Sequence, residues 1–185
     1  MIRFLYLFFL STLILTNNIN AKENIMILKL KDGDVKIEMF EDVAPNHVKR
    51  ITELANSGKY DNVVFHRVIE GFMAQTGDVQ FGNSSSKDFD LSKAGIGGSN
   101  LPDLKEEFNN IPHERGTVSM ARSSDPNSAN SQFFICFENA SYLDRQYTVF
   151  GRVIEGMDFV DKIKKGDGQS GSVTNPDKII SFKSQ

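Results

Sequence analysis

The run Phe133-Phe134-Ile135-Cys136-Phe137 constrains the fold more than any other part of the chain. An unbroken apolar segment of this length, headed by Gln132 and rich in aromatic residues, is the strongest strand signal in the sequence. Other strand-like segments recur at residues 25–30, 35–39, 63–68, 73–76, 117–121, 147–153 and 178–182. Between the first two, Lys31-Asp32-Gly33-Asp34 holds the Asp-Gly pair that favours a tight hairpin. Helical spacing is confined to two places. Pro45 suits a first turn, Val48, Ile51, Leu54 and Ala55 share one face, and Gly58 follows as a stop. Met157, Val160 and Ile163 share a face over residues 157–164. About eight strands, two helices and many tight turns predict a mainly β protein, a closed antiparallel barrel.

The composition narrows the function by exclusion. A formal net charge of −3, with no basic run and no aromatic-plus-lysine patch, argues against nucleic acid as a partner. His47, His66 and His113 lack metal-ligand spacing and no Cys/His cluster accompanies them, so neither a metal nor another cofactor is expected. The single Cys136 sits in the apolar run, where a buried thiol is expected and an internal disulfide is not possible. At the amino terminus Arg3, the apolar residues 4–15 and the small Ala21 form a signal-peptide pattern. The apolar run is shorter than the roughly 20 residues that a membrane span needs. The expected organisation is a signal peptide over residues 1–21, cleaved after Ala21, and one domain over residues 22–185. The mature domain is expected to be a periplasmic or secreted monomer with no membrane contact.

Residues 65–78, Phe-His-Arg-Val-Ile-Glu-Gly-Phe-Met-Ala-Gln-Thr-Gly-Asp, form an odd mixture for a core. A strand, a break at Glu70-Gly71 and a second strand would bring Arg67 near Phe72 and Met73. A permanent charge beside such side chains costs free energy unless it is ion-paired or faces a cleft. From the residues alone, Arg67 is either a structural ion-pair member or part of a site, and Phe72, Met73, Phe134 and Leu143 read as core. His66, next to Arg67 on a strand, should point to the opposite face. Residues 77–113 lose all periodicity, and connections of that length are usually functional or disordered. The segment Gly95-Ile96-Gly97-Gly98-Ser99 superficially suggests a phosphate loop, but lacks its lysine and its strand-to-helix setting.

Several long segments in fixed order now carry a resemblance: Phe65-His66-Arg67-Val68-Ile69, Gly71-Phe72-Met73-Ala74-Gln75, Gly77-Asp78, Gly116-Thr117-Val118-Ser119-Met120-Ala121, Asn130-Ser131-Gln132-Phe133-Phe134-Ile135, Leu143-Asp144 and Val149-Phe150-Gly151. The chain resembles the cyclophilin-type peptidyl-prolyl cis-trans isomerases, in a bacterial, exported form. The resemblance implies a closed eight-stranded antiparallel barrel capped by two helices, and isomerisation of X-Pro bonds in proline-containing segments of folding proteins. It assigns Arg67 and Gln75 as catalytic, and Phe72, Met73, Ala121, Arg122, Gln132, Phe134, Leu143 and Tyr147 as substrate-binding. Three positions depart from the family's best-known members, which have tryptophan at Tyr142, histidine at Tyr147 and asparagine at Arg122. Arg122 is expected to act through its backbone, while Tyr147 still walls a pocket.

The implied chemistry suits these residue types. An X-Pro bond turns slowly because amide resonance must be broken, against a barrier of about 18–20 kcal/mol. In the twisted form the proline nitrogen regains a lone pair, so a guanidinium aimed at it makes a bond that planar substrate cannot accept. Two other classes remain in play: a non-catalytic chaperone module that holds proline segments, and a small-ligand carrier whose barrel interior would be an apolar cavity.

Overall fold

The computed structural model describes residues 24–185. The signal-peptide expectation for residues 1–21 lies outside them. Eight strands form one antiparallel sheet: β1 (Ile25–Leu30), β2 (Gly33–Met39), β3 (Arg67–Ile69), β4 (Met73–Thr76), β5 (Thr117–Met120), β6 (Phe133–Cys136), β7 (Val149–Glu155) and β8 (Ser181–Ser184), in the order β3-β4-β6-β5-β7-β2-β1-β8. Helix α1 (Pro45–Asn56) lies against β8 and β7, and α2 (Met157–Asp161) against β2.

The closed barrel expected from the strand count is not what forms. The sheet curls but stays open, because its end strands β3 and β8 share no ladder. Among the described residues the seam is crossed by isolated bridges, Val64 with Lys178 and Arg67 with Ser172, and no regular ladder. The chain that would fill the gap carries Gly166, Gly168, Gly171 and Pro176, and glycine and proline weaken or block a regular ladder. For the same reason the strand expected at residues 63–68 pairs regularly only from Arg67, and the last strand starts at Ser181 after a bend at Ile180. Helix α2 stops at Asp161, three residues short of the expected end.

Strand alternation divides the apolar residues between two clusters, and this division creates the site. On β6, Phe133 and Ile135 enter the main core between sheet and α1, while Phe134 and Cys136 join a second cluster with Met73, Ala140 and Leu143 on the opposite face. β4 repeats the pattern, with Ala74 in the core and Met73 in the second cluster. The main core centres on Phe133, whose ring meets those of Tyr60 at 5.6 Å and Phe150 at 6.1 Å, both edge-on. Each such ring removed from water contributes roughly 1.5–3 kcal/mol.

The long connection after β4 is packed rather than loose. The Asp78 carboxylate, fully buried, accepts four backbone N–H groups, from Gln80, Phe81, Gly95 and Gly97, at 2.7–3.0 Å. Farther along, Glu107 accepts from the backbone N–H groups of Asn46 and His47, at 3.1–3.2 Å. It thereby caps the first turn of α1, for which Ala44 supplies no side-chain cap.

Candidate active site

The β3–β4 hairpin sets the first half of the site. Gly71, at φ +70°, makes the turn, and Phe72 N–H closes it on Ile69 C=O at 3.1 Å. The register pairs Arg67 with Gln75 and Ile69 with Met73, so Arg67, Gln75 and Met73 share the face of the second cluster. Across β4–β6, Gln75 stands opposite Phe134, and across β5–β6 Phe134 stands opposite Ser119. Phe134 is therefore the floor between the two strands.

Ten residues were expected to form the site. Nine of them, Arg67, Phe72, Met73, Gln75, Ala121, Arg122, Phe134, Leu143 and Tyr147, line one open pocket of about 220 Å³. The tenth, Gln132, lines an adjoining hollow of about 480 Å³, which shares Gln75, Ala121 and Arg122 with the first. The smaller volume is below the 300–1,000 Å³ typical of drug-sized ligands, and suits a single small ring.

A polar row runs along the pocket edge. Arg67 donates Nη1–H to Gln75 Oε1 at 3.4 Å, and its Nη1 lies 4.0 Å from Met73 Sδ. Gln75 donates Nε2–H to Gln132 Oε1 at 3.0 Å, and Gln132 donates to the carbonyls of Gly95 at 3.0 Å and Gly97 at 2.7 Å. Every donor points away from Arg67, so the row fixes both amide orientations and ends on the loop that Asp78 holds. Arg67 Nε–H donates to Ser170 C=O at 3.0 Å. Among the described residues Arg67 makes no ion pair. The structural ion-pair reading of Arg67 therefore has no partner here.

Arg122 does more than present its backbone. Its guanidinium lies 4.4 Å from the Tyr147 ring centroid, and donates to Gln146 C=O from Nε at 3.2 Å and Nη2 at 2.8 Å. The side chain thus clamps Tyr147 as a pocket wall. Tyr142 is 63% exposed and sits outside the cavity, its ring 5.7 Å from that of Phe72.

Behind the floor is a group that the sequence did not single out. His113 is fully buried and stacks on Phe134 with ring centroids 6.1 Å apart and planes at 17°. Asp144 accepts from the His113 backbone N–H at 2.8 Å and faces its Nδ1 at 3.0 Å, while Nε2 meets Ser119 Oγ at 3.0 Å. Burial holds the imidazole below its ordinary pKa despite Asp144, and the His113 N–H groups hold the Asp144 carboxyl below its own. On the far face from Arg67, His66 is buried beneath Gly95, and burial pushes its pKa down to about 4. Cys136 is fully buried and its thiol is pushed up to about 12, the state of an inert apolar residue. Among the described residues no three His, Cys, Asp or Glu side chains gather as a metal site would require.

The cyclophilin-type peptidyl-prolyl cis-trans isomerase/CLD family model matches residues 25–184. The chain belongs to the cyclophilin-type peptidyl-prolyl cis-trans isomerases. It is thus an isomerase of X-Pro peptide bonds. It is 61% identical over 159 residues to a Brucella suis protein described as a "probable peptidyl-prolyl cis-trans isomerase", covering 85% of this chain and 81% of that one. An Acinetobacter baylyi peptidyl-prolyl cis-trans isomerase is 39% identical, over 78% of this chain and 74% of its own length. A Cryptosporidium parvum cyclophilin solved in the presence of the dipeptide Ala-Pro superposes with a TM-score of 0.73 and 27% identity, covering 87% of this chain and 98% of that one.

Proposed function

We propose that this cyclophilin turns X-Pro bonds by seating the proline ring against Phe134 and giving the twisted nitrogen a hydrogen bond from Arg67. The observation that supports this reading is the row Arg67–Gln75–Gln132 along one edge of a pocket whose other walls are Phe72, Met73, Phe134 and Leu143. Gln75 and Ser170 engage Nη1 and Nε of the guanidinium, and among the described residues Nη2 has no hydrogen-bond partner. That remaining donor is free to meet a nitrogen lone pair that exists only as resonance is lost.

One charge-assisted hydrogen bond is worth roughly 1.5–3 kcal/mol, or about one to two decades of rate. The rest of the acceleration comes from positioning: the apolar walls fix the ring while Gln132 holds the adjoining backbone, so one side of the bond turns against a fixed other side. No nucleophile, acid-base pair or cofactor enters this scheme.

The clients, in this reading, are proline-containing segments of exported proteins, reached after residues 1–21 direct the chain out of the cytoplasm and are removed after Ala21. Amino-terminal sequencing of the protein from a cell-envelope fraction should begin at Lys22; a product beginning at Met1 in the cytoplasm would contradict export. For the chemistry, the test is cis-trans exchange of a short proline peptide with the wild-type chain and with Arg67→Ala. Acceleration by the first and its near loss in the second are expected. Peptide binding with exchange at the uncatalysed rate would favour a proline-holding chaperone module.

A further inference from the structure

Residues 166–173 lie along the outer edge of β3 as a strap. Val68 donates its backbone N–H to Gly171 C=O at 2.7 Å and accepts from Gly166 N–H at 2.9 Å, while Val173 N–H donates to His66 C=O at 3.2 Å. The strap is closed on itself by Asp167 N–H to Ser172 C=O at 3.0 Å, and by the Ser170 hydroxyl donating to Asp167 C=O at 3.3 Å. His66 and Val68 are thus tied to the strap on one edge, while Arg67, between them, pairs with β4 on the other. From this tether Ser170 turns its carbonyl onto Arg67 Nε.

Two glycines make the approach possible. A Cβ on Gly171, which sits at φ +68°, would collide with Ile69 Cγ1, and one on Gly166 would collide with the Gly171 carbonyl. At Gly171 the backbone is therefore seated against β3, and at Gly166 against the strap itself, more closely than any side chain allows.

We propose that the 166–173 strap is a positioning element for catalysis, and that Ser170 acts through its carbonyl as a positioning residue for Arg67. Without it the guanidinium keeps only the long contacts of Nη1, 3.4 Å to Gln75 and 4.0 Å to Met73 Sδ, and is freer to rotate about its long stem. With Nε and Nη1 both engaged, the fork has one orientation, and Nη2, which has no partner among the described residues, is held in place before substrate arrives. The inference rests on Arg67 being the residue that acts on the bond.

The test is a double-mutant cycle on the full chain, with Gly171→Ala and Arg67→Ala separately and together. Gly171→Ala alone should lower kcat about tenfold with KM held within about twofold. In the Arg67→Ala background the same substitution should change nothing further. Equal losses in both backgrounds would show general damage and overturn the proposal, as would an unchanged kcat in the Arg67 background. Ser170→Gly, which removes the hydroxyl's bonds to Asp167 C=O and from Ser172 N–H and loosens the backbone there, is the milder variant should Gly171→Ala fail to fold; it should show the same dependence on Arg67 at smaller amplitude. A second readout is independent of turnover. The Nε–H resonance of isotope-labelled Arg67 should exchange slowly with water in the wild type and fast in either strap variant. Fast exchange in the wild type would overturn the strap's role whatever the activity, whereas slow exchange in a chain with no isomerase activity would support the strap and contradict the isomerase scheme instead.

Discussion

Gln75 and Gln132, 57 residues apart in the chain, share one hydrogen bond of 3.0 Å that joins the hairpin carrying Arg67 to the strand carrying Phe134. Because Gln132 also donates to Gly95 and Gly97, it anchors the 95–97 loop and orients Gln75 at the same time.

Replacing Gln132 with alanine removes three neutral hydrogen bonds at one stroke. Each is worth about 0.5–1.5 kcal/mol, and only the bond to Gln75 bears on Arg67, so kcat/KM should fall about tenfold. Gln132→Glu should do at least as much harm, since a carboxylate cannot donate to the two glycine carbonyls. Steady-state isomerase kinetics check both.

Neighbouring phenylalanines should separate stability from activity. Phe133 is wholly in the main core and Phe134 is the pocket floor, although both are nearly inaccessible to solvent. Phe133→Ala should destabilise the domain by about 3–5 kcal/mol and leave the folded fraction active. Phe134→Ala should cost less stability and remove most of the acceleration. Denaturant titration together with activity per folded molecule distinguishes the two.

Acid should weaken the fold between pH 6.5 and about 4. Burial lowers the folded-state pKa of His66 from 6.5 to about 4, and those of His47 and His113 also lie below 6.5. In that window the unfolded chain binds more protons than the folded one, so stability is full above pH 6.5 and is lost as pH falls. His66 alone accounts for up to about 3 kcal/mol. Both of its ring nitrogens are buried without hydrogen-bond partners among the described residues, so His66→Phe forfeits no such bond and should flatten the acid slope. Urea midpoints measured from pH 7 to pH 4 test the sign.

Cys136 should resist modification. Full burial and a pKa of about 12 leave almost no thiolate at neutral pH. Thiol reagents should label the protein only in denaturant, and labelling at the rate of free cysteine under native conditions would contradict its placement.

The sequence makes the strands, α1 and the 65–78 hairpin legible through local periodicity and turn residues. It does not make the pocket legible by the same means: Met73, Phe134 and Leu143 have the composition of core, and they are 1%, 5% and 8% exposed. Only the order of the family segments marks them as walls. Other features have no local signature at all. Ser170 contributes a backbone carbonyl, which any residue possesses. Glu107 caps a helix that begins 62 positions earlier. The open seam depends on how the glycine-rich strap lies against β3, a tertiary choice that counting strands cannot anticipate. His113 is read from the sequence as one of three scattered histidines, and becomes part of the site's support only when Asp144 and Ser119 are brought to its two nitrogens.

If Arg67 acts on the rotating bond, as proposed, it contributes little to holding the peptide. Exchange spectroscopy on a proline peptide at saturating concentration measures the rate on the enzyme and the affinity in one experiment. For Arg67→Ala the on-enzyme rate should be about 10- to 100-fold slower, with Kd changed less than about threefold. An unchanged on-enzyme rate with a large loss of affinity would contradict it.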